Sequence, residues 1–146
     1  MAIDKQLCTF YLDEYYFGLD VLEVQEVFRY QEMTTAPLSP ADISGLINLR
    51  GQIITAINLR RRLNMEPPPT DMVPMNVVVR VQDEVVSLLV DRIGDVMEVS
   101  EEFYEPSPKN IQGSVRELVA GVYKLKGRLL LVLDTKKVLQ FDAATA

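Results

Sequence analysis

Apolar and polar positions change rhythm along the chain in ways that mark out strands. Residues 6–12 and 15–19 are aromatic and β-prone, and they flank the polar pair Asp13-Glu14. That pattern predicts a first hairpin. Asp20 is placed to cap a short turn over residues 21–23. Residues 24–28 then alternate, with Val24 and Phe28 on one face of a third strand and Gln25 and Val27 on the other. Residues 29–35 read as polar loop or strand end. Ser39 as an N-cap, Pro40 at the first helical position and Asp42 near the positive end predict a short helix that Gly45 stops.

Residues 46–49 and 53–57 are apolar and rich in β-branched side chains, as strands buried on much of both faces should be. Arg50-Gly51-Gln52 interrupts them, and Gly51 supplies the positive φ of a tight turn. Asn58 can cap a helix start, with Leu59 and Leu63 on one face of the turn that follows. The same order of features recurs at residues 121–139 with no gap. Gly45 matches Gly121, Arg50 matches Lys126, Gly51 matches Gly127, Asn58 matches Asp134 and Leu63 matches Leu139, at a constant spacing of 76. A repeat of this length predicts two copies of one small β unit.

Pro67-Pro68-Pro69 cannot sit in a helix or a central strand and reads as a linker. Beyond it, residues 75–81 and 85–90 flank Asp83-Glu84, matching the first hairpin at a spacing of 70. The drift to 76 places inserted residues in a loop over 104–114. Residues 93–99 supply another strand, with a bulge at Gly94. Strands over 118–125 and 128–133 and a closing helix over 134–141 follow, and the tail 142–146 is expected to fray. The chain therefore reads as one mostly β domain over 1–146. It divides into a first barrel over 6–65, a linker over 66–72 and a second barrel over 73–141. Each barrel has about five strands and is too small to core alone, so the two should share burial.

Composition narrows the function. The chain has 146 residues, 48% of them apolar and 25% charged, as in an ordinary globular domain. A net charge of −6 disfavours nucleic-acid binding. The single cysteine, Cys8, rules out an intrachain disulfide and reads as strand core. No apolar run suggests a leader or a membrane span. With no histidine, triads, histidine acid–base catalysis and histidine metal sites are excluded. There is no phosphate-binding glycine loop and no calcium loop. The acid pairs Asp13-Glu14, Asp83-Glu84 and Glu101-Glu102 fall in turns, where they are solvated. No enzyme, metal or cofactor is expected, which leaves a binding surface.

Residues 43–60, ISGLINLRGQIITAINLR, resemble the signature of the CheW-like coupling proteins of chemotaxis. So do residues 18–27, Leu89-Val90-Asp91 with Asp95-Val96 after it, and 118–121, and the resemblance runs from about residue 6 to 139. It implies two packed SH3-like five-stranded barrels with short helices. It also implies a cytoplasmic, non-catalytic adaptor, recruited to receptor arrays at the inner face of the membrane without inserting into it. The implied partners are the regulatory domain of the histidine kinase CheA and the cytoplasmic tip of methyl-accepting receptors, with weak self-association in array rings.

Arg50 and Asn48 of the N-L-R-G motif, and Val24 and Glu26 of V-Q-E, match the family's partner-binding positions. Gly45 and Gly51 match glycines that shape the hairpin presenting Arg50. Ile54 and Ala56 either line a groove for a receptor helix or are plain core. Arg92 stands where many members have glycine, with Gly94 two residues later. Two alternatives stay open: a CheW-like adaptor in a pathway that does not control swimming, and a small β-barrel that binds a ligand or serves as an accessory subunit.

Overall fold

The computed structural model describes residues 4–30, 32–34, 42–69, 71–106 and 114–140. Eleven strands and three one-turn helices follow one another in these segments. The strands are β1 (Asp4–Leu12), β2 (Tyr15–Asp20), β3 (Val24–Arg29), β4 (Ile43–Leu49) and β5 (Gln52–Asn58), then β6 (Met75–Val81), β7 (Glu84–Val90), β8 (Arg92–Ser100), β9 (Tyr104–Glu105), β10 (Val119–Leu125) and β11 (Arg128–Leu133). Helix α1 (Leu59–Arg62) follows β5, α2 (Ser114–Leu118) precedes β10, and α3 (Thr135–Val138) follows β11. Both predicted caps form. Asn58 Oδ1 accepts from Arg61 N at 3.1 Å, and Asp134 Oδ1 accepts from Lys137 N at 3.2 Å.

Hydrogen bonding does not follow the two halves of the chain. One sheet runs β8-β1-β2-β11-β10-β9 and the other β3-β6-β7-β5-β4. Each joins the first hairpin of one repeat to the later strands of the other. The halves meet at two seams in each sheet, parallel between β2 and β11 and between β7 and β5, and antiparallel between β1 and β8 and between β3 and β6. The division at 66–72 therefore marks the repeat boundary in the sequence but not the boundary of either sheet. We refer to the sheet built from the chain ends as the terminal barrel and to the other as the central barrel.

Both close by the same device. The chain beyond β3 returns to the far edge, where Thr34 bridges Leu46 of β4. The chain beyond β8 makes a 3-10 turn (Glu101–Phe103) and pairs as β9 with β10. Joining the edges removes unpaired strand edges. Glycine permits the close approach. A Cβ on Gly45 would stand 2.7 Å from the Thr34 carbonyl oxygen, and one on Gly121 would stand 2.4 Å from the Tyr104 hydroxyl. Gly45 is thus a barrel-closing residue inside β4 rather than a helix stop. The helix expected over 40–44 lies outside the described residues up to 41; its described part is a turn at Asp42 and the start of β4 at Ile43 and Ser44.

A shared core lies between the barrels. Phe10, Leu12, Phe17 and Leu19 of the terminal barrel meet Ile57, Val77, Val79, Leu88 and Val90 of the central one. The terminal barrel has its own cluster of Leu7, Tyr16, Val99, Tyr123 and Leu130. Cys8 is half-buried, and burial, then Asp20, pushes its thiol up. In the central barrel, Asn76 and Ser87 are fully buried and satisfy each other, the Ser87 hydroxyl donating to Asn76 Oδ1 at 2.7 Å.

Two expectations shift. The second hairpin turns at Gln82-Asp83, both with positive φ, so Glu84 begins β7. The hairpins therefore match at a spacing of 69, as from Leu12 to Val81, and not 70. The seams agree, since Phe17 pairs with Leu131 as Val86 pairs with Thr55. The expected loop before β10 also ends in α2, whose Val115 and Leu118 are buried in the shared core.

Candidate functional site

The expected site residues gather at the mouth of the central barrel. Arg50 and Gly51 form the two-residue turn between β4 and β5, both with positive φ (54° and 86°), the type I′ pattern. Asn48 Oδ1 accepts from Gly51 N at 3.0 Å and fixes the turn. Arg50 projects with 74% of its side chain exposed and donates from Nη2 to Glu26 Oε1 of β3. β3 and β4 are opposite edges of the sheet, so this ion pair spans the mouth. Val24 is half-buried and packs against the shared core, behind Glu26. Among the expected residues Gly45 and Ile54 do not join the surface. Gly45 is buried within β4, and Ile54 is 1% exposed, as is its cross-strand partner Ile47. The apolar side chain presented beside Arg50 is the adjacent Ile53, 61% exposed.

Carried across the repeat, the mouth appears twice. At spacings of 69 and 76, Glu26 corresponds to Asp95, Val27 to Val96, Arg50 to Lys126 and Ile53 to Leu129. All four of the apolar members, Val27, Val96, Ile53 and Leu129, are exposed. Each strand carrying the acid is bulged next to it, at Val24/Glu26 in β3 and opposite Cys8/Phe10 in β8. One difference is the turn. Gly127 has positive φ but Lys126 does not, so the second tip is shaped differently from the first.

A buried ion pair was not anticipated. Within the basic run, Arg60 and Asp91 are each 7% exposed in their side chains. Arg60 Nε donates to Asp91 Oδ1 at 2.8 Å and a second nitrogen donates to Oδ2, the bidentate fork. Its hydrogen bonds to Asp91 raise the Arg60 pKa further. Arg60 Nη1 also donates to the Glu66 carbonyl at 2.6 Å, and Asp91 Oδ2 accepts from the Asp13 amide at 2.8 Å. One node therefore ties α1, the linker, the β7–β8 crossing and the first hairpin. Arg62 donates to the carbonyls of Val138 and Lys137 at 3.0 and 2.9 Å, binding α1 to the end of α3.

The CheW-like domain model matches residues 6–143. The chain belongs to the CheW-like family. It is similar to the chemotaxis protein CheW of Treponema pallidum, at 33% identity over 91% of this chain and 81% of that protein. It is also similar to CheW of Klebsiella aerogenes, at 29% identity over 97% of this chain and 85% of that protein. The crystal structure of the scaffolding protein TtCheW from Thermoanaerobacter tengcongensis superposes with a TM-score of 0.81 at 28% identity, covering 90% of this chain and 89% of that one. The chain is accordingly a non-catalytic adaptor of chemotaxis with the CheW architecture. Among the described residues no helix is long and apolar enough to cross a membrane, and no group of three or more acids or cysteines could hold a metal ion.

Proposed function

We propose that this CheW-like chain couples methyl-accepting receptors to CheA by docking the kinase regulatory domain and the receptor tip at its barrel mouths, in the cytoplasm and within receptor arrays. Copies would associate weakly through the same faces in array rings. The observation that carries this reading is the duplicated mouth. A scaffold must hold at least two partners at once, and a repeat that places an acid, a base and two exposed aliphatics on each barrel supplies two such faces.

In this reading Arg50 is the anchor of the central mouth. Its guanidinium is exposed, and an exposed ion pair is worth only about 0–1 kcal/mol, so a partner's carboxylates or carbonyls can replace Glu26 at small cost. Glu26 and Asn48 set where the guanidinium points, Gly51 and Gly45 hold the turn and its strand in place, and Val24 fixes β3 from behind. Ile53, not Ile54, supplies the apolar contact. Coupling then requires only that partner binding differ between signalling states.

The test is reconstitution. Receptor fragments, kinase and the adaptor are mixed, and receptor-dependent autophosphorylation is measured. The wild type should stimulate the kinase and Arg50→Ala should not. No stimulation by a folded wild type would end the adaptor reading.

A further inference from the structure

The two mouths differ in a second built feature besides the turn. In the terminal barrel two arginines lie over two tyrosines. The Arg92 guanidinium carbon is 4.5 Å from the Tyr11 ring centroid, and that of Arg128 is 3.8 Å from Tyr16. The two rings are 4.9 Å apart. Arg128 Nη1 donates to the Tyr11 hydroxyl at 3.1 Å, and the Tyr16 hydroxyl donates to Met97 Sδ at 2.9 Å. Both arginines are exposed, and among the described residues neither is ion-paired with a carboxylate.

The sister barrel shows that the fold does not need this ladder. At the repeat spacings the central barrel has Arg80, Val85, Glu23 and Gln52 in place of Tyr11, Tyr16, Arg92 and Arg128. It closes in the same way without them. Stacking uses the faces of a guanidinium and leaves its N–H edges for other partners; Arg128 gives Nη1 to the Tyr11 hydroxyl, and that bond with the stacking orients the rest of its fork for carboxylates. A cleft of about 610 Å³ runs beside the ladder, lined by Tyr11, Tyr16, Val96, Met97 and Arg128, with Asp95 and Glu98 on its wall. Those acids bias an incoming anion toward the arginine side, and exposed Val96 offers an apolar footing.

We propose that the terminal mouth docks an acidic protein segment, with Arg92 and Arg128 as specificity-determining clamps on a tyrosine shelf. The partner is a protein surface carrying carboxylates around an apolar residue. Exposed Val96 beside the arginines, with Asp95 and Glu98 on the same cleft, fits a protein surface that brings an apolar residue with its carboxylates, and not the unbroken charge of nucleic acid or an anionic membrane. The identity of that partner rests on the adaptor reading; the anion chemistry does not.

The experiment has two arms with the full chain. In the first, poly-L-glutamate is titrated into the protein while the arginine side-chain N–H resonances are followed by NMR, with poly-L-lysine as control. Arg92 and Arg128 should shift saturably with poly-L-glutamate alone, and R92Q/R128Q should bind about tenfold more weakly. R92K/R128K keeps the charge without the planar fork and should fall between. In the second, the kinase regulatory domain and the receptor fragment are titrated separately, and R92Q/R128Q should weaken one of them by a similar factor. Equal binding by wild type and R92Q/R128Q in the first arm overturns the proposal. So does binding to phosphatidylglycerol vesicles that the double variant loses while poly-L-glutamate is ignored. Loss of poly-L-glutamate binding in the variant, with neither protein partner bound by the wild type, upholds the acidic-segment site and overturns the adaptor reading.

Discussion

Glu26 and Arg50 are bonded to each other from opposite edges of one sheet, across the mouth of the central barrel. Arg50 sits on a two-residue turn whose backbone is fixed by Asn48 and Gly51, so its removal takes nothing from the core. Arg50→Ala should lower the melting temperature by no more than about 3 °C, the shift expected from losing about 1 kcal/mol in a domain of this size. A calorimetric melt checks this, and a much larger drop would make Arg50 a structural residue.

Arg60 and Asp91 give the opposite expectation. Arg60→Ala leaves the Asp91 carboxylate buried without its fork and should destabilise by about 3 kcal/mol. Denaturant unfolding measures it. If Arg60→Ala and Asp91→Ala each cost that much, the double variant should cost clearly less than their sum, because neither orphaned charge remains. Simple additivity would show that the two groups do not depend on each other.

The glycines separate two physical effects. Gly51→Ala meets no atom within 4 Å and should cost only the strain of a positive φ, about 1 kcal/mol. Gly45→Ala drives a Cβ into a backbone oxygen and should cost more, because a carbonyl in a closing bridge cannot swing aside. Gly121→Ala should fall nearer to Gly51→Ala, since its obstacle is the movable end of the Tyr104 side chain. Equal losses at Gly45 and Gly51 would contradict the closure mechanism.

Tyrosine titration offers a pH test. The Tyr123 hydroxyl donates to Glu101 Oε1 at 2.7 Å, and burial, that hydrogen bond and the charge of Glu101 hold its pKa well above the usual tyrosine range. Burial first, then Glu101, also raises Tyr104. A raised pKa means the folded chain keeps these protons where the unfolded chain loses them. Stability should therefore be unaffected below about pH 10 and fall as pH rises above it. An absorbance titration should show these two tyrosines ionising last, together with alkaline unfolding, and early ionisation of Tyr123 would refute the contact with Glu101.

Much of the fold was legible because local chemistry is strong where the repeat is strong. The Asp13-Glu14 turn, the Arg50-Gly51 turn and the Asn58 and Asp134 caps each follow from residues within four positions of one another. The exchange of hairpins between barrels was not legible, since parallel seams such as Phe17 to Leu131 join residues far apart in sequence. The one-residue slip at Gln82-Asp83 hid behind a coincidence of composition. Asp-Glu occurs in both halves, but the second turn sits one residue earlier, and such a slip reverses which side chains face inward.

The site was partly legible in the same way. The motif around Asn48, Arg50 and Gly51 marked the turn itself. Ile53 and Ile54 could not be told apart, because an unbroken apolar run carries no alternation to show which face is wet. Arg60 looked like one more solvated base in a basic run. Only the fold brings Asp91, thirty-one residues on, to meet it.

The adaptor account turns on whether this surface binds the kinase. The most direct measurement is titration calorimetry of the full chain with the regulatory domain of its cognate histidine kinase, with Arg50→Ala alongside. The account predicts saturable one-to-one binding by the wild type. Weaker binding by Arg50→Ala would place the kinase at the central mouth, and unchanged binding would place it at the terminal mouth. No heat of binding from a wild type that melts cooperatively would contradict the account.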